Sequence, residues 1–153
     1  MVFIILNFGN CNLFGTCNFE FDILYIMNIL GVDFGTKRIG LAWVHKELGV
    51  VLPFGQVRGK DKEEMVLNLA KLIKEERAEK VVFGLPLTLE GQESPNSRRV
   101  RAFVDELNKN INVPVDFYDE RFSSFAADQM EGEASRDEKA AMIILQDYLE
   151  ANP

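Results

Sequence analysis

The amino-acid sequence predicts an α/β protein built on a mixed five-stranded sheet with helices on both faces. Three apolar segments of strand length come first, and helical and strand-like segments then alternate to the end of the chain. A three-strand antiparallel meander followed by βα alternation combines antiparallel and parallel pairing in one sheet. At 153 residues the chain is long enough for one domain with a substantial core.

Residues 29–44 predict the first two strands and the turn between them, with one acid, Asp33, where the first strand ends. Gly40 in the second strand would let backbone or a ligand approach closely. A carboxylate on a buried strand is costly unless it is paired or binds a cation. Two interpretations follow: Asp33 forms an ion pair with Lys37 or Arg38, or it is a metal-binding acid whose basic neighbours contact a phosphate.

The third strand is predicted over residues 49–57, where Pro53 favours an edge strand or a bulge. Asp61 is then the expected N-cap of an amphipathic helix, because an acid follows three residues later and an apolar stripe begins. Residues 80–85 form a short apolar run bounded by Gly and Pro, which predicts a buried strand.

A second helix is predicted from Pro95 to about residue 109, since Pro is favoured at the first helical position. Its first turns expose three arginines, Arg98, Arg99 and Arg101. They are either solvated charges or contacts to the phosphates of a ligand.

The last strand is predicted over residues 113–118, ending just before Glu120. A short helix capped by a serine is expected to run to about residue 130. The final helix is expected to begin near Asp137, and the alanines at 140–141 would let it lie close against the sheet.

Three acids, Asp33, Glu120 and Asp137, stand at the ends of predicted elements. Sites in α/β sheets gather at the carboxyl edge of the strands, where these acids could converge. Converging carboxylates repel one another unless cations neutralise them, and oxygen ligands favour Mg²⁺ or Mn²⁺. The alternatives are structural: Glu120 could pair with Arg121 or Lys37, and Asp137 could simply favour a helix N-terminus.

Composition bounds the class of protein. The net charge of −7 excludes a uniformly basic surface but leaves room for a local basic face. Two cysteines and one histidine are too few for a Cys/His zinc site, and nothing suggests a disulfide framework, so we expect a cytoplasmic setting. No apolar run reaches the length of a membrane span, so no membrane partner is expected.

Residues 1–26 differ from the rest of the chain: they contain no Lys or Arg and hold both cysteines. A signal peptide is not indicated, because a basic start and a small-residue cleavage site are both lacking. We interpret Met27 as the natural start, residues 1–26 as an upstream extension or a mispredicted start, and residues 27–150 as the domain. The alternative is an added strand at the sheet edge.

Four ordered motifs from residue 27 to residue 150 resemble the YqgF/RuvX family, which has an RNase H-like fold and whose members are described as pre-16S rRNA nucleases or Holliday junction resolvases. The matching segments are residues 33–42, the Gly-Leu-Pro at 84–86 with the helix that follows, residues 119–121, and residues 137–146. Residues 134–136 are less basic than is usual in the family, and residues 1–26 have no counterpart in it.

The resemblance implies a metal-dependent nuclease that processes the 5′ end of pre-16S rRNA in ribosome biogenesis. Asp33, Glu120 and Asp137 would then be the catalytic, metal-binding acids, with Mg²⁺ or Mn²⁺ as cofactor. The candidate nucleic-acid contacts are Lys37, Arg38, Arg98, Arg99, Arg101 and Arg121. The expected partner is structured RNA, with branched DNA as the alternative, and the protein would be a monomer or a homodimer.

Three other functions stay open at this point. One is Holliday junction cleavage in DNA recombination and repair, which would require a symmetric dimer. Another is a non-catalytic RNA-binding or transcription-associated module. The third is a phosphate-binding kinase or ATPase, whose first motif also reads Asp-x-Gly-Thr but which needs a second domain that the predicted elements do not supply.

Overall fold

The structure, a computed structural model, describes residues 2–8, 19–25, 27–46, 48–88, 91–119 and 133–152. The strands are β1 Val2–Phe8, β2 Phe19–Tyr25, β3 Asn28–Phe34, β4 Arg38–His45, β5 Val51–Arg58, β6 Lys80–Leu85 and β7 Val115–Asp119. The described helices are α1 Lys62–Glu75, α2 Pro95–Leu107 and α3 Arg136–Ala151.

Five of the strands form one mixed sheet in the order β5-β4-β3-β6-β7. Strands β3, β4 and β5 form an antiparallel meander, while β6 runs parallel to β3 and β7 runs parallel to β6. This arrangement confirms the predicted fold class. The central position of β3 means that its carboxyl end lies beside those of β6 and β7.

Strand β5 lies at the edge of the sheet and carries a bulge, as Pro53 predicts. Its register against β4 shifts between Leu41 and Ala42, which face Gly55 and Pro53 respectively. Gly55 has a φ of 97°, a conformation that favours glycine.

Helices cover both faces of the sheet. On one face α1 and α2 pack over a large apolar core that includes Phe83 and Phe103. On the other face α3 packs over a smaller core that includes Ala141 and Ile144. The predicted N-cap Asp61 is confirmed, because its side chain accepts a hydrogen bond of 2.8 Å from a backbone N–H in the first turn of α1.

Element boundaries differ from the prediction by about one or two residues. Strand β7 begins at Val115, since the proline before it has no N–H to donate, although its carbonyl accepts a 3.0 Å hydrogen bond from Val81. Helix α2 begins at Pro95 as predicted and ends at Leu107. The predicted short helix before residue 130 lies outside the described residues.

Strands β1 and β2 pair with each other in an antiparallel sheet of their own. The alternative interpretation of this region requires an added strand at the edge of the five-stranded sheet. Strands β1 and β2 do not extend that sheet. In the part of the chain that the structure describes, no helix is both long and apolar enough to cross a bilayer.

Candidate active site

Asp33 lies near the carboxyl end of β3, the central strand. It is directly opposite Gly40 of β4 in the antiparallel register. On the other side of β3 the parallel strand β6 ends at Leu85, which pairs with Asp119, the last residue of β7. The carboxyl ends of three neighbouring strands thus meet at one edge of the sheet, which is where sites in α/β proteins form.

The N-terminus of α3 reaches this edge because it packs against bare backbone. A Cβ added at Gly40 would lie only 2.1 Å from the carbonyl oxygen of Asp137. Any side chain at this position would therefore push the helix away. Since Gly40 is the register partner of Asp33, the first turn of α3 comes to lie beside the carboxylate of Asp33.

The environment of Asp33 favours its neutral form. Burial, followed by the negative charge of Asp137, raises the pKa of Asp33 from 3.8 to about 6, and Arg136 opposes this rise only in part. Among the described residues, neither Lys37 nor Arg38 forms an ion pair with the Asp33 carboxylate, and Arg136 is the cation whose charge acts on it. The ion pair with Lys37 or Arg38 that the sequence left open is therefore not seen for this acid.

Arg38 instead pairs with Asp137: its Nε contacts Oδ2 of that carboxylate. Gln56 of β5 donates from Nε2 to the same oxygen at 3.2 Å and to Oγ of Ser135 at 2.8 Å. These contacts fix the side chain of Asp137, which is one-fifth exposed. Asp33 and Asp137 thus differ, because Arg38 forms an ion pair with Asp137 and not with Asp33.

The bulge in β5 also anchors α3. The Gly55 N–H donates a 2.9 Å hydrogen bond to Oε1 of Glu138. The other carboxylate oxygen of Glu138 accepts from the backbone N–H of Ser135 at 3.0 Å, which completes a capping box. Hydrogen bonds to Ser135 and Gly55 lower the pKa of Glu138, the side-chain bond from Ser135 contributing most.

Sequence reasoning missed three of these supporting residues. Ser135 and Glu138 could have been found, because Ser-x-x-Glu before an apolar stripe is the capping-box pattern. Gln56 gave no signal, since its role depends on how an edge strand lies beside a helix that is far away in the sequence.

The predicted phosphate-contacting cations separate into two groups. Lys37 and Arg99 line a common groove beside the β3–β4 turn. Arg101 forms an ion pair of 2.6 Å with Glu93, and its guanidinium lies 4.8 Å from the ring centroid of Phe117. Arg98 is exposed on α2 and does not line the groove. The structure therefore brings Lys37 and Arg38 to Asp137, and Arg99 to the adjoining groove.

Glu120 and Arg121 lie outside the described residues, although Glu120 follows Asp119 directly in the sequence. Within the described ranges, no group of three or more His, Cys, Asp or Glu residues could hold a metal ion. Asp119 ends β7 at this edge as well, and the two carboxylates that the structure shows acting on each other there are Asp33 and Asp137. The donor atoms of both side chains are oxygens, and the charge of Asp137 destabilises the charged form of Asp33. Both properties fit a hard divalent cation.

Comparison with known sequences gives one consistent result. Residues 27–151 match the family model described as "RuvX: Holliday junction resolvase". A protein of Chloroflexus aggregans named "Putative pre-16S rRNA nuclease" is 38% identical over 80% of this chain and 93% of its own length. Proteins with the same name in Anaeromyxobacter sp. and Bordetella parapertussis are each 36% identical, over 81% and 82% of this chain and 97% and 95% of their own lengths.

Solved structures agree on the fold. Thermus thermophilus RuvC in complex with a Holliday junction substrate superposes with a TM-score of 0.53 at 15% identity, over 82% of this chain and 94% of that one. The fowlpox virus Holliday junction resolvase gives a TM-score of 0.56 at 15% identity, over 82% of this chain and 99% of that one. At this identity the likeness shows the RNase H-like fold alone.

The mixed five-stranded sheet predicted from the sequence and seen in the structure, the family match over residues 27–151 and the relatives at 36–38% identity agree with one another. The chain belongs to the RuvX family, a family of nucleases with an RNase H-like fold.

Proposed function

We propose that this protein is a divalent-metal-dependent nuclease that hydrolyses phosphodiester bonds in structured RNA, and that it processes the 5′ end of pre-16S rRNA in the cytoplasm. The names of the relatives support the RNA substrate. The proposed metal ligands are Asp33, Glu120 and Asp137, with Mg²⁺ or Mn²⁺ as the cation.

The observation that carries this proposal is the juxtaposition of Asp33 and Asp137 at the carboxyl edge of the sheet. The mutual repulsion of these acids raises the pKa of Asp33 beyond the effect of burial. A site that brings two carboxylates together and removes one of them largely from solvent is unfavourable by itself, and a bound cation makes it favourable. Perturbed acids of this kind are typical of functional sites.

A divalent cation at this position would supply Lewis-acid activation of water and stabilisation of the leaving oxygen. The residues of the chain provide the rest. Arg38 and Gln56 orient the carboxylate of Asp137 through their contacts to Oδ2. Lys37 and Arg99 offer exposed cations for the phosphates on either side of the scissile bond, and Arg98, Arg101 and Arg121 are further candidates.

The test is cleavage of a pre-16S rRNA fragment that contains the mature 5′ end. We expect the parent protein to cut with Mg²⁺ or Mn²⁺ and to be inactive with a chelator. Asp33→Asn should lose cleavage by at least about 100-fold because it removes a charged ligand. Asp105→Asn is the matched control, since it makes the same change on an exposed residue of α2. Full metal-dependent activity of Asp33→Asn would refute the assignment of this residue.

Four-way DNA junction cleavage is the second candidate, favoured by the description of the family model. Cutting both strands symmetrically would require a homodimer. Junction DNA and pre-16S rRNA should therefore be compared in the same assay, with the oligomeric state measured in solution. Symmetric cleavage of the junction with no cleavage of the RNA would favour the DNA function. Metal-dependent binding of both without cleavage would favour a non-catalytic binding protein.

The family match begins at Met27, which supports treating residues 1–26 as an extension outside the nuclease domain.

A further inference from the structure

A groove of about 580 Å³ lies next to the candidate active site, between the β3–β4 turn, the start of α1 and the middle of α2. Its apolar floor is formed by Phe34, Met65 and Phe103. The rings of Phe34 and Phe103 are 4.8 Å apart at their centroids. The volume is within the range of pockets that bind small ligands, and Phe34, which is half-buried over the fully buried Phe103, supplies the accessible aromatic ring.

The rim of the groove is basic, although the chain as a whole is acidic. Its lining includes four cations, Lys37, Lys60, Lys62 and Arg99, and one acid, Asp61. The carboxylate of Asp61 is used as the N-cap of α1, where it accepts a backbone hydrogen bond of 2.8 Å. The protein carries a net charge of −7, so this local excess of positive charge sets the groove apart from the chain as a whole. Local charge determines contact with phosphates.

Lys60 and Lys62 line the groove, and the described acid within electrostatic reach of Lys62 is Glu106, whose main partner is Lys109. Nζ of Lys62 donates a 2.8 Å hydrogen bond to the carbonyl oxygen of Ala102, which ties α1 to α2 across the groove. The backbone N–H of Lys60 donates to Glu64 at 2.7 Å, and this contact fixes the chain just before the helix. Both side chains are exposed, and neither forms an ion pair with another described residue.

The groove is connected to the acids through the β3–β4 turn. Thr36 and Lys37 line it and also line a smaller depression that contains Arg38 and Asp137. A polymer whose scissile phosphate lies at Asp137 could thus pass over the turn and enter the groove without leaving the protein surface. Apolar floors with basic rims are the arrangement by which proteins bind single-stranded nucleic acid.

We propose that this groove binds a single-stranded segment of the nucleic-acid substrate flanking the scissile phosphate, with Lys60 and Lys62 contacting its backbone. This inference rests on the proposed nuclease function and adds a site to it: the substrate is a duplex or stem with a single-stranded extension. The bases lie over Phe34 and the phosphates follow the cationic rim.

The test measures binding apart from cleavage, in the Asp33→Asn background with Mg²⁺ present. The probes are a blunt RNA hairpin and the same hairpin with a single-stranded extension at either its 5′ or its 3′ end. We expect Lys60→Ala/Lys62→Ala to weaken binding by about tenfold at about 0.1 M salt for one of the two extended hairpins, the one whose extension enters the groove. The slope of log affinity against log salt should fall by about 1.4, the value for two lost contacts to a single strand. Binding of the blunt hairpin should not change.

Lys71→Ala/Lys74→Ala is the matched control, because it removes two exposed lysines from the same helix outside the groove. Lys60→Ala alone is the second variant, since it leaves the hydrogen bond from Lys62 to Ala102 intact. It should lower the salt slope by about 0.7 without changing thermal stability.

The proposal is overturned if both lysine pairs weaken binding equally, if the groove pair has no effect, or if no extended hairpin binds better than the blunt one. None of these results would contradict the proposed nuclease function if the parent protein, which retains Asp33, cleaves pre-16S rRNA. Loss of that function would be seen separately, as an absence of metal-dependent cleavage by the parent protein.

Discussion

Replacing Asp33 by Asn should stabilise the metal-free protein, and more so as the pH rises. In the unfolded chain this carboxyl group titrates near its ordinary pKa of 3.8, whereas burial and the charge of Asp137 raise its pKa to about 6 in the folded protein. Between these values the folded state keeps a proton that the unfolded state has lost. Stability therefore falls as the pH rises through this window, and the loss is complete above pH 6.

The size of the effect follows from the pKa difference. At about 1.4 kcal/mol per pKa unit, the charge on Asp33 costs about 3 kcal/mol near pH 8 and about 1 kcal/mol near pH 4.5. Asn has a similar shape and no charge, so Asp33→Asn avoids this cost. The free energy of unfolding of the variant should exceed that of the parent by about these amounts.

Urea denaturation with a chelator present, near pH 4.5 and near pH 8, measures this difference. Asp105→Asn is again the control, because its carboxylate is exposed on α2. An advantage of Asp33→Asn that does not grow with pH would refute the argument that burial and Asp137 destabilise the charged form. Adding Mg²⁺ should then largely remove this advantage near pH 8, since a cation at a concentration of 100 times its Kd stabilises the parent by about 2.7 kcal/mol and should stabilise the variant much less.

Two further substitutions test the packing of α3. Gly40→Ala should lower the free energy of unfolding by about 1–3 kcal/mol and reduce cleavage, because the new Cβ would lie 2.1 Å from the carbonyl oxygen of Asp137. An unchanged melting temperature would contradict this close approach. Tyr148→Phe should cost about 1.5 kcal/mol by thermal or urea denaturation, because the hydroxyl group donates to Asp116 and receives a 3.0 Å hydrogen bond from Lys80. Its cleavage activity should match the parent, since Lys80 begins β6 at the edge opposite Asp33.

The elements that local patterns determine could be predicted from the sequence. The apolar runs of β3, β4 and β6, and the stripes of α1 and α2, are set by neighbouring residues, and their predicted types are confirmed. Pro53 correctly indicated an edge strand with a bulge, because a residue without an N–H cannot sit in the centre of a sheet. The start of β7 was placed two residues early, since Pro114 interrupts the pairing that its apolar neighbours suggest.

The contacts within the site could not be predicted, because they join segments that are distant in the sequence. Arg38 was considered as a partner for Asp33, five residues away, and the structure pairs it with Asp137 instead. The groove next to the acids takes its cations from the β3–β4 turn, from the residues before α1 and from α2. No local pattern distinguishes Lys60, just before α1, and Lys62, its first residue, from the exposed lysines farther along that helix.

Two glycines explain why the acids meet at all. Gly31 of β3 and Gly40 of β4 both lie under α3, and an added Cβ would come within 3.0 Å of the carbonyl oxygen of Ala141 and 2.1 Å of that of Asp137. These two helix positions are four residues apart, so they lie on one face, one turn from each other. The helix therefore rests along both glycines, and its path across β3 and β4 is fixed. Because Gly40 is also the register partner of Asp33, that path ends with Asp137 beside the buried carboxylate. Any larger residue at either glycine would lift the helix and separate the acids, so the geometry of the site depends on these two positions as much as on the acids themselves.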